Sequence, residues 1–283
     1  MFIKVAVEEI EPTTMMCLRL ILAAAVLVPA LVATVGMKDA VAEVRGAGWD
    51  AWAVGILNMA LPFTLIAWGE KYIDSGIAAI ANASVPIFVA LLALKFNPGE
   101  RVRGVRLVGI LVGFVGVGVL TGLHPEGGWW AVAGTLAIVA ASFSYASANH
   151  YVQHRFRGTT PLVITVASSL TGALVLLPFA LFQLPDEVPS WKAFGSVAAL
   201  GILGTALALL FFYRMLASYG ATRASLVTYL LPPTALVYGA LILDESITLN
   251  AVLGLVLILA GVALGSGFLR LTRREAAPAT PQA

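Results

Sequence analysis

Ile56-Leu57-Asn58 is matched by Ile202-Leu203-Gly204, and Ala60-Leu61 by Ala206-Leu207, at one constant offset of 146 positions. Pro86 and Pro232 keep that offset. After a one-residue slip, Glu100 meets Glu245, Gly109 meets Gly254 and Gly116 meets Gly261. Apolar residues align easily by chance, so the Pro, Glu and Gly matches carry the argument. They make the chain a tandem duplication.

The composition says where such a unit lives. Hydrophobic residues make up 60%, charged residues 11%, and mean hydropathy is +0.94; soluble domains are roughly half apolar and about a quarter charged. Apolar stretches able to cross a ~30 Å hydrocarbon layer recur at 13–35, 49–69, 76–95, 104–122, 130–152, 160–182, 191–216, 221–243 and 249–269. This is the pattern of an all-α membrane protein whose short connections leave no room for a soluble catalytic domain. A duplicated unit of membrane helices is the usual ground plan of a transporter.

The basic residues give an orientation. With alternating helices, one side holds Lys38, Arg45, Lys95, Arg101, Arg103, Arg106, Arg155, Arg157, Arg270, Arg273 and Arg274, and the other Lys4, Lys71, Lys192, Arg214 and Arg223. That asymmetry places the C-terminus in the cytoplasm. Glu8, Glu9 and Glu11 then face outward, which the rule permits. Thr13-Thr14 corresponds to Thr159-Thr160, so the counterpart of the 130–152 helix runs from before Met1 to about Ala6. The expectation is nine full spans plus the remnant of a first helix, Met1 being an internal start or a truncation. Five helices per copy would insert the second copy upside down, an inverted 5+5 repeat.

Three features carry a family resemblance: five helices per repeat, the run Tyr72-Ile73-Asp74-Ser75-Gly76-Ile77-Ala78-Ala79-Ile80-Ala81-Asn82-Ala83-Ser84-Val85-Pro86, and an acidic residue opening the link to a Gly-rich last helix. Together they resemble the EamA branch of the drug/metabolite transporter superfamily. The two versions of the closing pattern are 86–118, with Pro98-Gly99-Glu100, and 232–267, with Asp244-Glu245. The resemblance implies repeat 1 over 1–122, repeat 2 over 130–269 and a basic cytoplasmic tail over 270–283. It also implies a multi-pass carrier in a bacterial inner membrane that exports amino acids, related metabolites or toxic compounds. The absent first helix departs from the family pattern.

Several residues are candidates for a solute path. Arg19 is the ionisable residue well inside an apolar span, so it faces a cavity, finds a partner or snorkels. It would bind a substrate carboxylate or phosphate, or reach Glu8, Glu9 or Glu11. Trp68, Glu70 and Asp74 stand near a membrane edge, where charge is cheap. Glu70 is a candidate gate or amine contact. No carboxylate is expected deep in a span, which argues against a buried acid as proton relay. Ser142, Tyr145 and Asn149 share one helix face. Asn82 precedes Pro86 as Thr228 precedes Pro232, with Ser225 a turn earlier; Asn58 and Pro62 mark another face, and Tyr213 and Tyr229 are wall candidates. Interhelical hydrogen bonding without a ligand explains each of these polar residues equally well.

Pro86, Pro232 and Pro233 interrupt helices as hinges or simple kinks. Gly109/Gly113 and Gly261/Gly265 have the spacing of close helix approach, within one chain or at a homodimer face. His150 and His154 are four apart but lack an acidic partner, so no metal is expected. The lone Cys17 cannot form an intramolecular disulfide, and no phosphate loop appears. No cofactor and no nucleic-acid partner is expected, only a small-molecule substrate and the lipid bilayer. The tail's arginines suit anionic headgroups. Two other functional classes remain: a non-transporting membrane scaffold, and an intramembrane enzyme, for which no facing nucleophile and base can be found.

Overall fold

A computed structural model describes residues 1–96, 104–121, 128–185 and 187–265, and every described element is helical. The tail expected over 270–283 lies outside these residues, as do Glu100 and its loop. In chain order the helices are α1 (Phe2–Ala6), α2 (Pro12–Val35), α3 (Met37–Gly46), α4 (Gly48–Val54), α5 (Leu61–Gly69), α6 (Ser75–Asn82), α7 (Val85–Phe96), α8 (Val105–Thr121), α9 (Gly128–Arg155), α10 (Pro161–Phe182), α11 (Trp191–Gly201), α12 (Ala208–Ile242) and α13 (Leu249–Gly265). A π-helical turn, Gly55–Ala60, joins α4 to α5, and a second, Ile202–Leu207, joins α11 to α12. Six described helical stretches are long and apolar enough to cross a membrane. With no water to satisfy backbone groups, helix is the form such sequences take there. Both α2 and α10 open on proline, whose missing N–H falls where a helix start has no partner for it.

The core lies between helices of the two sequence copies. On α2, Met15, Met16, Leu20 and Leu27 are buried, and the helix runs antiparallel to α10. Thr14 Oγ1 donates to Ala180 O (3.2 Å) and Gln183 O (3.0 Å), while Cys17 Sγ lies 3.6 Å from Ala173 O. Farther along, Leu20 is against Gly172. The pair α8 and α13 is also antiparallel, since Gly113 meets Gly261, Gly116 meets Ile258 and Leu120 meets Gly254. By the sequence offsets, α2 corresponds to α10 and α8 to α13. Equivalent helices are therefore each other's partners, head to tail. Exchange of the copies also maps the packing of the first π turn on α10 onto that of the second π turn on α2.

Three local features differ from expectation. The 37–46 connection is a helix, α3, with Met37 and Val41 exposed. Helix continues from Trp191 to Ile242 through 217–220, where a break was expected; that segment has no proline to force one. Only Pro86 accompanies a broken helix. The chain leaves helix at Ala83-Ser84, and Pro86 occupies the first turn of α7, where its ring is tolerated. Pro232 and Pro233, by contrast, lie inside α12 without interrupting it. Of the spans expected at 104–122 and 249–269, the described residues form helix over Val105–Thr121 and Leu249–Gly265.

The glycine spacings work within one chain. A Cβ on Gly261 would stand 2.5 Å from Gly113 N and 2.7 Å from Gly109 O, backbone atoms that cannot swing aside, whereas one on Gly118 would meet nothing within 4 Å. Gly261→Ala is expected to lower stability by about 1–3 kcal/mol, read as a drop of several degrees in melting temperature of the solubilised protein. Gly118→Ala should melt with the wild type.

Candidate functional site

Arg19 falls on the inward stripe of α2, three residues after Met16 and four before Ala23, so helical periodicity aims it at the protein interior. Gly201 at the end of α11 admits the second copy to this point. A Cβ there would lie 2.9 Å from Arg19 O and 2.7 Å from Leu22 Cβ. Four residues on, in the second π turn, Thr205 Oγ1 accepts a hydrogen bond from Arg19 Nε at 2.9 Å and donates its own proton to Leu200 O at 2.8 Å. On α5 the Phe63 ring lies under the guanidinium, its centroid 3.9 Å from Cζ. The Tyr145 ring on α9 meets Phe63 edge-on at 6.4 Å. Four helical elements thus converge on one cation.

Arg19 has no carboxylate within salt-bridge distance among the described residues. Its other bond is a weak one from Nη1 to Met16 Sδ at 3.7 Å. The acids that could have neutralised it are engaged elsewhere. Glu9 accepts from Ser190 N (2.5 Å) and Ser190 Oγ (2.6 Å), which hold its carboxyl below the usual range, and Glu11 pairs with Lys71 at 2.8 Å. The Tyr145 hydroxyl makes no hydrogen bond to a described residue. Both Arg19 and Tyr145 are deep in the fold yet keep some open surface. A fully packed core would give them none.

The other candidates are distributed along the bundle. Asn58 is half-buried in the first π turn, where Ser144 Oγ donates to the neighbouring Leu57 O at 2.7 Å. Asn82 Oδ1 accepts from Ser142 Oγ at 3.3 Å, at the break between α6 and α7. Tyr213 bonds Thr165, about 12 Å along the helix from Thr205 at 1.5 Å per residue. Asn149 is exposed. Thr228 and Tyr229 lie on α12 where side chains are outside the described residues, as does Ser225. His150 and His154 bring their rings to 4.3 Å, but no group of three His, Cys, Asp or Glu that could hold a metal occurs among the described residues. Phe63, Thr205 and Gly201 had not been singled out in sequence. Thr205 stands inside the duplicated segment, and nothing in the sequence marks Phe63 apart from other aromatics.

Trp68 and Glu70 form a separate group at the far end of α5. Trp68 meets Tyr72 and Trp130 edge-on, at 5.0 and 6.4 Å, forming an aromatic cluster. Glu70 was expected at a cheap membrane edge, but it is 5% exposed. It accepts from Ser75 Oγ at 3.2 Å; Lys4 Nζ donates to Glu70 O and Ile73 O; and Glu245 accepts from Ser75 N (2.8 Å) and Gly76 N (3.2 Å), packing this corner shut. Burial pushes the Glu70 carboxyl above the ordinary Glu range, and the nearby Glu245 carboxylate adds to this, against the Met1 ammonium, the Ser75 hydroxyl and Lys4.

The profile of the EamA-like transporter family matches residues 1–122 and 132–267. An uncharacterised transporter of Archaeoglobus fulgidus is 29% identical over 215 residues, covering 75% of each chain. The uncharacterised transporter YoaV of Bacillus subtilis is 26% identical over 265 residues, 92% of this chain and 88% of its own. A solved crystal structure superposes with a TM-score of 0.65 at 21% identity, over 95% of this chain and 90% of the other, a likeness of fold.

Glu70 generates a pH prediction. A carboxyl whose folded pKa lies above its unfolded value stabilises the fold below the unfolded pKa, and that contribution is lost as pH rises through the folded one. Glu70→Gln keeps a partner for Ser75 and cannot ionise. The variant should therefore melt at or above wild type at pH 8, with the difference shrinking toward pH 4. A variant less stable at pH 8 and equal at pH 4 would instead mean that Lys4 and the Ser75 hydroxyl hold Glu70 charged.

Proposed function

The chain belongs to the EamA-like transporter family, and from that premise we propose that it carries a small metabolite across the membrane by alternating access. In this reading residues 1–122 and 130–269 are two halves inserted in opposite senses, with a solute path between them. The antiparallel partnership of α2 with α10 and of α8 with α13 supports it, since same-sense copies would set equivalent helices parallel. The recurrence of a π turn at Gly55–Ala60 and Ile202–Leu207 supports it too.

One observation carries the proposal. Arg19 and Phe63 from the first copy and Tyr145 and Thr205 from the second build a single polar cluster around an open-faced cation. A site shared by both halves is where a rocking motion would expose a solute to each side in turn. The break at Ala83-Ser84 before Pro86 is a candidate joint for that motion, with Asn82 at its edge bonded to Ser142 of α9. Pro232 and Pro233 are further joint candidates. They leave the carbonyls four residues back without their helical donor.

The basic residues collected on one side orient the chain with its C-terminus in the cytoplasm of a bacterial cell, in the inner membrane. Outward movement of amino acids, related metabolites or toxic compounds follows the family resemblance. Counterflow into vesicles carrying the full chain, with a panel of labelled metabolites, tests transport. At least one solute should exchange saturably, and Arg19→Ala and Asn82→Ala at matched expression should reduce its flux, the first by about tenfold or more. If no solute moves, the carrier reading falls and the scaffold reading takes its place.

A further inference from the structure

The guanidinium of Arg19 has five N–H donors in one plane. Nε is used by Thr205, one Nη1 donor points at a thioether, and no described residue accepts from the others. Phe63 covers one face of the group, so a further ligand approaches in its plane, along the free Nη edge. The planar partner that accepts two parallel N–H bonds there is a carboxylate or a phosphate. The Tyr145 hydroxyl, itself without a described partner and in contact with Phe63, supplies one more donor on the same side of the fold.

Charge count separates the two anions. A phosphate monoester carries about −1.5 to −2 at neutral pH, while one guanidinium balances a single charge. No second cation bears on Arg19 among the described residues; the titratable groups that do are Tyr145 and Glu70. Nor does the duplication provide one, because at the 146 offset the counterpart of Arg19 is Thr165, whose hydroxyl is bonded to Tyr213. A dianion would leave a charge uncompensated in a low-dielectric site, an outcome that costs far more than a matched pair.

We propose that Arg19 and Tyr145 bind the carboxylate of a monoanionic organic solute, Arg19 through its free Nη edge and Tyr145 through its hydroxyl. The proposal rests on the carrier reading and deepens it by naming the class of cargo. It excludes phosphate esters, and it excludes solutes whose acid is masked as an ester.

The test is binding rather than flux, so that it stands apart from transport. The full chain, purified into bilayers of phosphatidylcholine alone so that no lipid carboxylate competes, is titrated with benzoate and isovalerate while its melting temperature is followed. Each acid is run beside its methyl ester, and phenyl phosphate serves as the dianion. At least one acid should raise the melting temperature saturably, with its ester and phenyl phosphate inert. Arg19→Gln should weaken the apparent affinity about ten- to hundredfold, with partial recovery in Arg19→Lys, and Tyr145→Phe several-fold. Should Arg19→Gln fail to fold, the ester comparison and Tyr145→Phe still decide. Equal binding of acid and ester, tighter binding of phenyl phosphate, unchanged affinity in Tyr145→Phe or Arg19→Gln, or no response to any acid each overturns the assignment. Counterflow of a solute without a carboxylate, unaffected by Arg19→Gln, would overturn it while leaving the carrier intact.

Discussion

Close backbone approach between antiparallel helices of the two copies is the constraint on which the fold depends. Lipid tails are as apolar as leucine, so no hydrophobic force drives one membrane helix onto another, and dispersion contacts between tightly fitted surfaces must do it. Gly116, Gly254 and Gly261 make that fit possible where α8 meets α13, each facing backbone or a Cβ at a distance no larger side chain would permit, while a Cβ on Gly113 would run into the Ile87 side chain. Around α2 and α10 the same part is played by Gly172 and by the carbonyls that accept from Thr14 and Cys17. Because the paired helices are equivalents in the duplication, the fold is held along a line where the copies meet.

That line is also where Arg19 stands, and its energetics follow from the packing. A cation at such depth costs about 2.5–3.5 kcal/mol on insertion scales. The charge-assisted hydrogen bond to Thr205 contributes about 1.5–3 kcal/mol and the face of Phe63 about 0.5–1 kcal/mol against that cost. One further charge-assisted partner on the free Nη edge would add to these contributions. Gly201 permits the arrangement: any larger residue there would push α11 off the backbone of α2 at Arg19 and Leu22 and carry Thr205 away from the guanidinium.

Much of this architecture was legible in the residues. The proline, glutamate and glycine matches pointed to two copies, and the glycine spacings marked close helix approach without naming the helices that meet. Arg19 was visible because a charge stands out against an apolar span. Its surroundings were not, because Phe63 and Gly201 are ordinary letters in a membrane alphabet, and only the crossing of α2, α5, α9 and the second π turn gives them a role. The burial of Glu70 escaped for a related reason. Position along a helix gives depth in the bilayer, but Lys4 and Glu245 close over this corner from segments that sequence distance does not connect, Glu245 through the amides of Ser75 and Gly76. The prolines show the limit from the other direction. Pro86 sits in the first turn of α7 beside a break, whereas Pro232 and Pro233 lie within an unbroken α12, so the residue type alone does not determine whether a helix ends.

The π turns tie these threads together. An i→i+5 turn accommodates an extra residue and rotates the helix face beyond it, and such turns concentrate at functional sites. Thr205 is the fourth residue of the second π turn, and its bond to Leu200 O, five residues back, follows that wider register while leaving its oxygen free to accept from Arg19. The fourth residue of the first π turn is Asn58. It too is polar and half-buried, yet it makes no hydrogen bond to a described residue, and the α10 position that corresponds to Arg19 holds Thr165, already bonded to Tyr213. The two copies therefore present polar groups at the same turn, with a single cation bonded to them among the described residues. The two π turns are alike in place and unlike in chemistry: one offers a hydroxyl that accepts from a cation, the other an amide with no described partner.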